Sequence, residues 1–223
     1  MGGYVAARWQ LEGGWVGVIV AFVSQKGGVG KSTLARALAR EAAAGGLKVK
    51  VADLDIQQGT LVNWQRRRLA AGQEPTVSVE SFRDARSALS EWHSFDLLVL
   101  DGPARANSAT LEIAKFAHLV VQPTGASLDD LEPAVLTFHE LVREGIPVEK
   151  LLFALCRVST EAEVRDCRGY VEKAGYSMLE GFLPERPAYR AAQNTGLSVT
   201  EVRYPALRKQ AEKLVQGIVD RAC

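Results

Sequence analysis

Glycines, two lysines and a serine–threonine pair lie together in the segment Lys26-Gly27-Gly28-Val29-Gly30-Lys31-Ser32-Thr33. Glycines allow backbone N–H groups to turn inward around phosphate oxygens, and a helix N-terminus adds partial positive charge. Lys31 would then reach the β- and γ-phosphates of a nucleotide, and the Ser32 hydroxyl would ligate Mg²⁺. The segment follows a predicted strand and opens a predicted helix, as a phosphate-binding loop requires. The predicted phosphate contacts are Gly27, Gly28, Val29, Gly30, Lys31, Ser32 and Thr33.

Three aspartates supply the carboxylates that a magnesium–nucleotide site needs. Asp53 and Asp55 come at the end of a predicted strand, and because they are two residues apart on an extended chain they share a face. In an open parallel sheet the ligand crevice lies at the carboxyl ends of the strands, so both can approach Mg²⁺ and an attacking water. The alternative is that they form an ordinary turn at the strand end. Asp101 follows four apolar residues, an arrangement that holds Mg²⁺ through water.

Short apolar runs alternate with amphipathic stretches along the chain, which predicts an α/β fold: a mostly parallel twisted sheet with helices on both faces. The predicted strands are 16–24, 49–53, 76–80, 96–101, 118–122, 151–156 and 178–183. The predicted helices are 32–44, 61–71, 83–92, 130–144, 161–174 and 205–222. Asp130 is preferred over Ser127 as the N-cap of the fourth helix, because it leaves Pro133 in the first turn, where proline is tolerated.

Composition limits the possible classes of protein. The 223 residues carry 27 Lys and Arg against 26 Asp and Glu, so the chain as a whole presents no strong field for nucleic acid, although a local basic patch stays open. Residues 15–223 show no linker and are predicted to form one domain, preceded by a Gly-rich extension at residues 1–14. Three cysteines without CxxC spacing favour a reducing, cytoplasmic compartment, and the first apolar run is too short to span a bilayer.

The phosphate-loop segment resembles the deviant Walker A box of the ParA/MinD family of P-loop ATPases. Gln25 stands where an ordinary Walker A box has its first glycine, and Lys26 lies five residues before Lys31. In that family the early lysine reaches across a dimer interface to the ATP of the other protomer. The resemblance therefore implies a catalytic role in trans for Lys26, as a second cation beside the phosphates.

The resemblance continues at the carboxylates. The family pattern D-x-D-P-Q matches at Asp53, Asp55 and Gln57, whereas Ile56 replaces the proline. By resemblance Asp55 positions or activates the water and Asp53 helps to hold the Mg²⁺ shell. Asp101 with the following Gly102-Pro103 resembles the Walker B strand and second switch of the family.

The C-terminal third resembles the small partition ATPases of the family. A proline segment near the adenine is expected at Pro184. Cys156 and Arg157 occupy the place where MinD relatives have an asparagine that contacts the base. Arg157 would stack on adenine, or would be an ordinary surface arginine.

The resemblance to this family implies a function in which ATP and Mg²⁺ bridge a homodimer. In ParA proteins the dimer grips nonspecific DNA, and a small ParB-like or cargo-adaptor partner stimulates a weak ATPase and releases it. The resemblance thus implies a nucleoid-associated ATPase that segregates a plasmid, a chromosome or another cargo. The candidate DNA contacts are Arg186, Arg190, Arg203, Arg208, Lys209 and Lys213, and the run Arg66-Arg67-Arg68 adds basic residues.

Two other functions stay open. A MinD-like protein would grip membrane through a C-terminal amphipathic helix, but the helix 205–222 lacks bulky aromatics and a strong positive excess, which favours docking on the sheet. A metabolic ATP-dependent enzyme of the same fold would need an organic substrate pocket, which no sequence feature marks.

Overall fold

A computed structural model describes residues 17–90, 92–104 and 107–222. The seven strands in these ranges are β1 (Val18–Phe22), β2 (Val49–Asp53), β3 (Ser78–Ser81), β4 (Leu97–Asp101), β5 (Leu119–Thr124), β6 (Leu151–Val158) and β7 (Ser177–Pro184). The eight α-helices are α1 (Lys31–Ala44), α2 (Thr60–Ala70), α3 (Ala85–Leu89), α4 (Asn107–Phe116), α5 (Leu128–Arg143), α6 (Glu161–Lys173), α7 (Pro187–Asn194) and α8 (Pro205–Ala222). The predicted N-terminal extension, residues 1–14, lies outside the described residues.

The strands form one sheet in the order β3-β2-β4-β1-β5-β6-β7, and every pairing is parallel. The predicted α/β class and parallel sheet are therefore confirmed. Strand β1 lies between β4 and β5, and the register places Asp101 beside both Phe22 and Asp53. The carboxyl ends of β1, β2 and β4 consequently meet at one edge, where parallel sheets of this kind form their ligand crevice.

Each face of the sheet is covered by its own helical layer, as the alternation of buried residues requires. One face packs against α1, α2, α7 and α8, with Leu34, Trp64 and Leu214 among its fully buried side chains. The other face packs against α3, α4, α5 and α6, with Phe138 at its centre. Neighbouring residues of β4 divide between these layers, because successive side chains of a strand point to opposite faces.

The structure differs from the sequence-based expectations in several local respects. Helices α4 and α7 were not predicted, although the buried residues of α4 recur at helical spacing in Thr110, Ile113 and Ala114. Strand β3 begins two residues later than expected, and the predicted helix 83–92 ends at Leu89, followed by a short 3₁₀ turn. The preference for Asp130 as N-cap is wrong, because α5 begins at Leu128 after the extended residue Ser127.

The C-terminal helix α8 lies in the core. Ala211, Leu214, Val215, Ile218 and Val219 are buried against the sheet and neighbouring helices, which confirms that its apolar face is docked. The approach to β7 is close enough that a Cβ atom on Gly181 would meet the Leu214 backbone at 2.8 Å. Among the described residues no helix is long and apolar enough to cross a bilayer.

Candidate nucleotide site

The predicted phosphate loop joins the end of β1 to the start of α1. Gly28 and Gly30 have φ angles of 76° and 121°, which side-chain-bearing residues rarely adopt. Gly30 also precedes the first residue of α1, and no side chain caps that helix N-terminus. The uncapped N–H groups at the start of α1 can therefore be satisfied by an anion, as at other phosphate-binding helix termini.

A cavity of about 420 Å³ opens beside this loop and collects most of the predicted catalytic groups. Its walls include Lys31 and Ser32 from α1, Asp55 from the segment after β2, and Asp101 from the end of β4. Lys31 is buried, and this burial lowers the pKa of its ammonium, while Asp101 and Asp55 favour the charged form. The arrangement places a cation, a hydroxyl and two carboxyls around one space that fits a nucleotide phosphate chain.

Asp101 is the group best suited to hold a divalent cation. The Ser32 hydroxyl donates a 2.6 Å hydrogen bond to Asp101 Oδ2. The other oxygen, Oδ1, is buried without a partner in the described part of the chain. Burial raises the pKa of the Asp101 carboxyl to about 7, in spite of the Ser32 hydrogen bond and the nearby Lys31. A hydroxyl and a carboxyl with a free oxygen are hard ligands that fit Mg²⁺.

Asp53 and Asp55 occupy different environments. Asp55 is partly exposed and lines the cavity, whereas Asp53 is fully buried and is not among the cavity-lining residues. The Asp53 Oδ2 atom accepts hydrogen bonds from Leu61 N (2.9 Å) and Val62 N (3.3 Å), so this carboxylate satisfies the N-terminus of α2. Burial nevertheless raises the pKa of the Asp53 carboxyl.

A second, smaller pocket of about 210 Å³ adjoins the cavity, because Gly28, Gly30 and Thr33 line both. We call it the base pocket, because the sequence predicts the adenine contacts here, and its remaining walls are Cys156, Arg157, Leu183, Pro184, Glu185, Arg186, Tyr189, Arg190, Gln193 and Val199. The predicted adenine contacts Arg157 and Pro184 are thus brought together here. Burial raises the pKa of the Cys156 thiol to about 12, so its sulfur stays protonated at neutral pH.

Arg157 adopts a backbone conformation that is rare for its residue type. Its φ angle is 59°, and it is the one non-glycine residue in the described ranges with a positive φ. The side chain bridges two walls of the base pocket, with Nη1 donating to Gly28 O (3.4 Å) and Nε to Glu185 Oε2 (3.2 Å). Strained residues of this kind occur often at binding sites.

Lys26 points away from the cavity of its own chain. Its ammonium forms an ion pair with Asp130 and donates to Asp129 O at 3.4 Å, while about 47% of the side chain stays exposed. Pro133 lacks the N–H that would otherwise bond to this carbonyl four residues earlier, so the Asp129 oxygen is available. Lys26 therefore lies on the protein surface beside the phosphate loop.

The candidate DNA residues separate into two groups. Arg186 and Arg190 lie at the mouth of the base pocket, where Arg190 pairs with Glu185 Oε1 at 3.0 Å. Arg208 donates to the Val202 carbonyl, and Arg203 stacks on Tyr204 with 4.7 Å from its Cζ atom to the ring centroid. Lys209 and Lys213 are exposed on α8. The distance between Lys213 Nζ and Glu180 Oε2 is 3.8 Å.

One basic residue suggested by the sequence is not on the surface. Arg68 is fully buried and makes two hydrogen bonds to Glu201, of 2.8 Å and 3.0 Å. It also donates to the backbone carbonyls of Gly196, Pro75 and Glu74. Arg66 and Arg67 are exposed, because they lie on the other side of α2.

Sequence reasoning missed several residues that line the two pockets, among them Arg36 and Gln193. Arg36 lines the phosphate cavity and Gln193 lines the base pocket, and the two side chains are hydrogen-bonded at 2.6 Å. The signal for Arg36 was its position four residues after Ser32, which places both on one face of α1. Nothing in the local sequence around Gln193 distinguishes it.

Residues 20–199 match the model of the CobQ/CobB/MinD/ParA nucleotide binding domain. The chain belongs to this family. It is 27% identical over 186 residues to the maintenance of carboxysome distribution protein A of Gloeobacter kilaueensis, covering 83% of this chain and 85% of that protein.

Solved structures confirm the fold of the family. The Mg-ADP complex of the septum site-determining protein MinD from Pyrococcus horikoshii superposes with a TM-score of 0.70 at 19% identity, over 91% of this chain and 96% of that one. The ATP complex of McdA from Cyanothece superposes with a TM-score of 0.66 at 17% identity, over 92% and 97%. The recognition of a ParA/MinD-type chain from its motifs is thereby confirmed.

Proposed function

We propose that this protein is an ATPase of the ParA type that positions a cargo by switching between nucleotide states. The observation that carries the proposal is the convergence of Lys31, Ser32, Asp55 and Asp101 on one cavity that adjoins a base pocket. ATP is the assigned nucleotide, with its phosphates on the loop at the start of α1. Ser32 and Asp101 would hold Mg²⁺, which when bound neutralises charge on the β- and γ-phosphates.

The remaining groups of the cavity have separate tasks in hydrolysis. The uncapped N–H groups of the loop and the Lys31 ammonium bind the phosphate oxygens and stabilise their charge. Asp55 orients the attacking water and accepts its proton, since its partly exposed carboxylate lines the same space. Asp53 holds the N-terminus of α2 through its Oδ2 atom, and its part in the Mg²⁺ shell stays a prediction.

Lys26 is assigned to the partner protomer's nucleotide. It lies at the surface beside the loop and is held at the start of α5 by Asp130, so it can leave this ion pair when a second protomer approaches. A cation supplied in trans would make tight nucleotide binding and dimer formation depend on each other. The active species is then a sandwich homodimer with two ATP molecules at its interface.

The switched output of this dimer is binding to nonspecific DNA, which makes the protein cytoplasmic and nucleoid-associated. The preferred contacts among the six candidates are Arg203, Lys209 and Lys213, which are exposed and lie away from the base pocket. Arg208 is also exposed, but its guanidinium already donates two hydrogen bonds to the Val202 carbonyl. Arg186 and Arg190 are better placed to act at the mouth of that pocket. A ParB-like or cargo-adaptor partner would stimulate hydrolysis and so release the dimer. The relative from Gloeobacter kilaueensis, named for carboxysome distribution, favours a protein assembly as cargo over a plasmid or a chromosome.

ATP turnover tests the catalytic assignment. We expect the Asp55→Ala variant to bind ATP but to release phosphate about 100-fold more slowly, because the group that orients and deprotonates water is gone. Asp166→Ala is the matched control, since Asp166 is an exposed carboxylate on α6. Unchanged phosphate release by Asp55→Ala would contradict the role given to Asp55.

Binding to random-sequence duplex DNA tests the proposed output. Binding is expected only with ATP and is expected to weaken with salt, because cations on the protein replace counterions of the phosphates. The double variant Lys209→Glu, Lys213→Glu should bind more weakly, with a shallower salt dependence, while Lys173→Glu on α6 serves as control. ATP-dependent binding to anionic vesicles instead of DNA would favour a MinD-like protein, and turnover that requires an added organic acid would favour a metabolic enzyme.

A further inference from the structure

Arg36 is a charged side chain in the interior of the nucleotide site, and no motif accounts for it. Only 6% of its surface is exposed. It lies on α1 one turn after Ser32, and helical side chains lean toward the N-terminus, so its guanidinium approaches the phosphate cavity. Its charge is therefore placed beside the catalytic groups.

The hydrogen bonds of Arg36 join two different parts of the site. Nη1 donates to Gln193 Oε1 at 2.6 Å, and Nη2 donates to the Thr60 carbonyl at 3.0 Å. Gln193 lies on α7 in the wall of the base pocket, and its Oε1 also accepts a 3.2 Å bond from Thr33. Thr60 is the first residue of α2, so it directly follows the segment that carries Asp55.

The segment between Asp55 and Thr60 is short and closed on itself. The N–H groups of Gln58 and Gly59 both donate to the Asp55 carbonyl, at 3.1 Å and 2.9 Å. A displacement of Thr60 is consequently transmitted to Asp55 through a turn that has little room to absorb it. Arg36 thus holds the turn at its α2 end.

The fold offers a cation at this place little compensation beyond the Trp64 ring, whose centroid lies 5.9 Å from the Arg36 Cζ atom. Both direct acceptors of Arg36 are neutral, and its Nε is buried without a partner among the described residues. Burial lowers the pKa of the guanidinium to about 10, although Asp101 and Asp53 act in the opposite direction, so the group is charged at neutral pH. Buried charges of this kind are often replaceable by apolar residues without loss of stability, which points to a functional reason for the arginine.

We propose that Arg36 is a positioning residue that couples occupancy of the base pocket to the conformation of the segment from Asp55 to Thr60. A base in the pocket restrains Gln193, which restrains the Arg36 guanidinium and through it the Thr60 carbonyl. A ligand that fills only the phosphate cavity makes no direct contact with Gln193 and adds no restraint beyond the hydrogen bonds from Thr33 and Arg36. This inference rests on the proposed nucleotide binding and extends it, because it makes the Asp55 segment respond to the base and not only to the phosphates.

Hydrogen exchange of the backbone amides tests the coupling without requiring hydrolysis, and it is measured at a protein concentration low enough that the chain stays monomeric with ATP. The full chain would be compared with Mg-ATP and with Mg-tripolyphosphate, which supplies the phosphates but no base. In the wild-type protein ATP is expected to slow exchange at residues 55–64 about tenfold more than saturating tripolyphosphate does. In Arg36→Met the two ligands are expected to have equal effects on this segment.

Two further variants separate coupling from a general loss of structure. Arg40→Met is the matched control, because Arg40 lies one turn further along α1 and pairs with Glu41 and Glu201 instead. Gln193→Ala removes the acceptor while leaving Arg36 in place and is expected to abolish the difference between ligands. Gln193→Glu keeps an acceptor for Arg36 and is expected to retain the difference between the two ligands.

The amides of residues 27–33 distinguish the possible failures. If ATP protects them but residues 55–64 respond equally to both ligands in the wild-type protein, the coupling is refuted while nucleotide binding stands. A difference that persists in Arg36→Met also refutes it. Absence of any protection of residues 27–33 by ATP would overturn the proposed function, and this inference with it.

Discussion

The Ser32 hydroxyl donates a 2.6 Å hydrogen bond to Asp101 Oδ2, and this bond joins the first turn of α1 to the end of β4. Because the second Asp101 oxygen is buried without a partner in the described chain, the pair is an incomplete ligand set. A buried polar atom of this kind is costly unless something binds it. Under the proposed function, a hydrated Mg²⁺ would supply the missing partner of this oxygen.

Replacing Asp101 tests this directly. We expect Asp101→Asn to lower the Mg²⁺ affinity of the ATP complex about 10- to 100-fold, because the amide carries no charge and offers a weaker ligand. The measurement is the Mg²⁺ concentration at which ATP raises the unfolding temperature. Asp166→Asn is the control, and an identical Mg²⁺ midpoint for Asp101→Asn would contradict the metal assignment.

Replacing Lys26 tests whether this lysine contacts the nucleotide bound by the partner protomer. Lys26→Ala is expected to bind ATP as a monomer, since its ammonium contacts Asp130 and not the cavity of its own chain. Light scattering of the purified protein with ATP and without nucleotide gives the oligomeric state. Lys173→Ala should dimerise with ATP like the wild-type protein. An ATP-dependent dimer of Lys26→Ala with undiminished hydrolysis would exclude the role in trans.

The left-handed backbone of Arg157 leads to a prediction about stability and binding. Asparagine tolerates a φ of 59° better than other side chains, so Arg157→Asn should be about 1 kcal/mol more stable than Arg157→Ala. Both variants lose the bridge between Gly28 and Glu185. Both should therefore bind ATP more weakly than the wild-type protein. Urea denaturation and nucleotide titration measure the two effects separately, and equal stability of the two variants would show that the backbone is not strained.

The pair of Arg68 and Glu201 predicts a pH-dependent contribution to stability. Burial by itself raises the pKa of the Glu201 carboxyl, but the Arg68 hydrogen bonds and Arg40 hold it below its ordinary value of 4.5. The folded protein therefore binds fewer protons at this group than the unfolded chain. The stabilisation is complete above pH 4.5 and is lost as the pH falls through the folded-state pKa.

Glu201→Gln should accordingly destabilise the protein by about 3 kcal/mol at neutral pH, because it leaves the buried Arg68 cation unpaired. The difference from the wild-type protein should shrink as the pH falls below 4.5. Urea denaturation over a pH series measures it, with the exposed Glu212→Gln on α8 as control. A difference that is independent of pH would mean that the charge of Glu201 contributes nothing.

Local sequence was sufficient to predict the phosphate loop, the parallel sheet and the positions of the carboxylates Asp55 and Asp101 at strand ends. Each depends on short-range rules: glycines between a strand and a helix, β-branched runs, and acids at strand ends. Helices α4 and α7 were missed because they have only ten and eight residues, so few turns of apolar spacing mark them in the sequence. The family was recognised from the sequence because its motifs are distributed over most of the chain.

Other features depend on partners that are distant in sequence. Arg68 resembles a surface residue in the run Arg66-Arg67-Arg68, and it is buried because Glu201, 133 positions away, supplies a carboxylate. Asp53 matches a metal-binding motif, yet the turn after β2 brings the N–H groups of α2 onto it. The guanidinium of Arg36 is held by a hydrogen bond to Gln193, which lies 157 positions away in the wall of the base pocket.

Residue type and spacing are enough to identify the chemical groups available for a nucleotide: the loop, the lysines and the strand-end acids. Which of these groups face the cavity and which support its walls follows from the packing of distant segments. Burying a charge is costly without a partner, and the partner of a buried charge is supplied by packing between helices. That packing separates Asp53 from Asp55 and makes Arg36 part of the site.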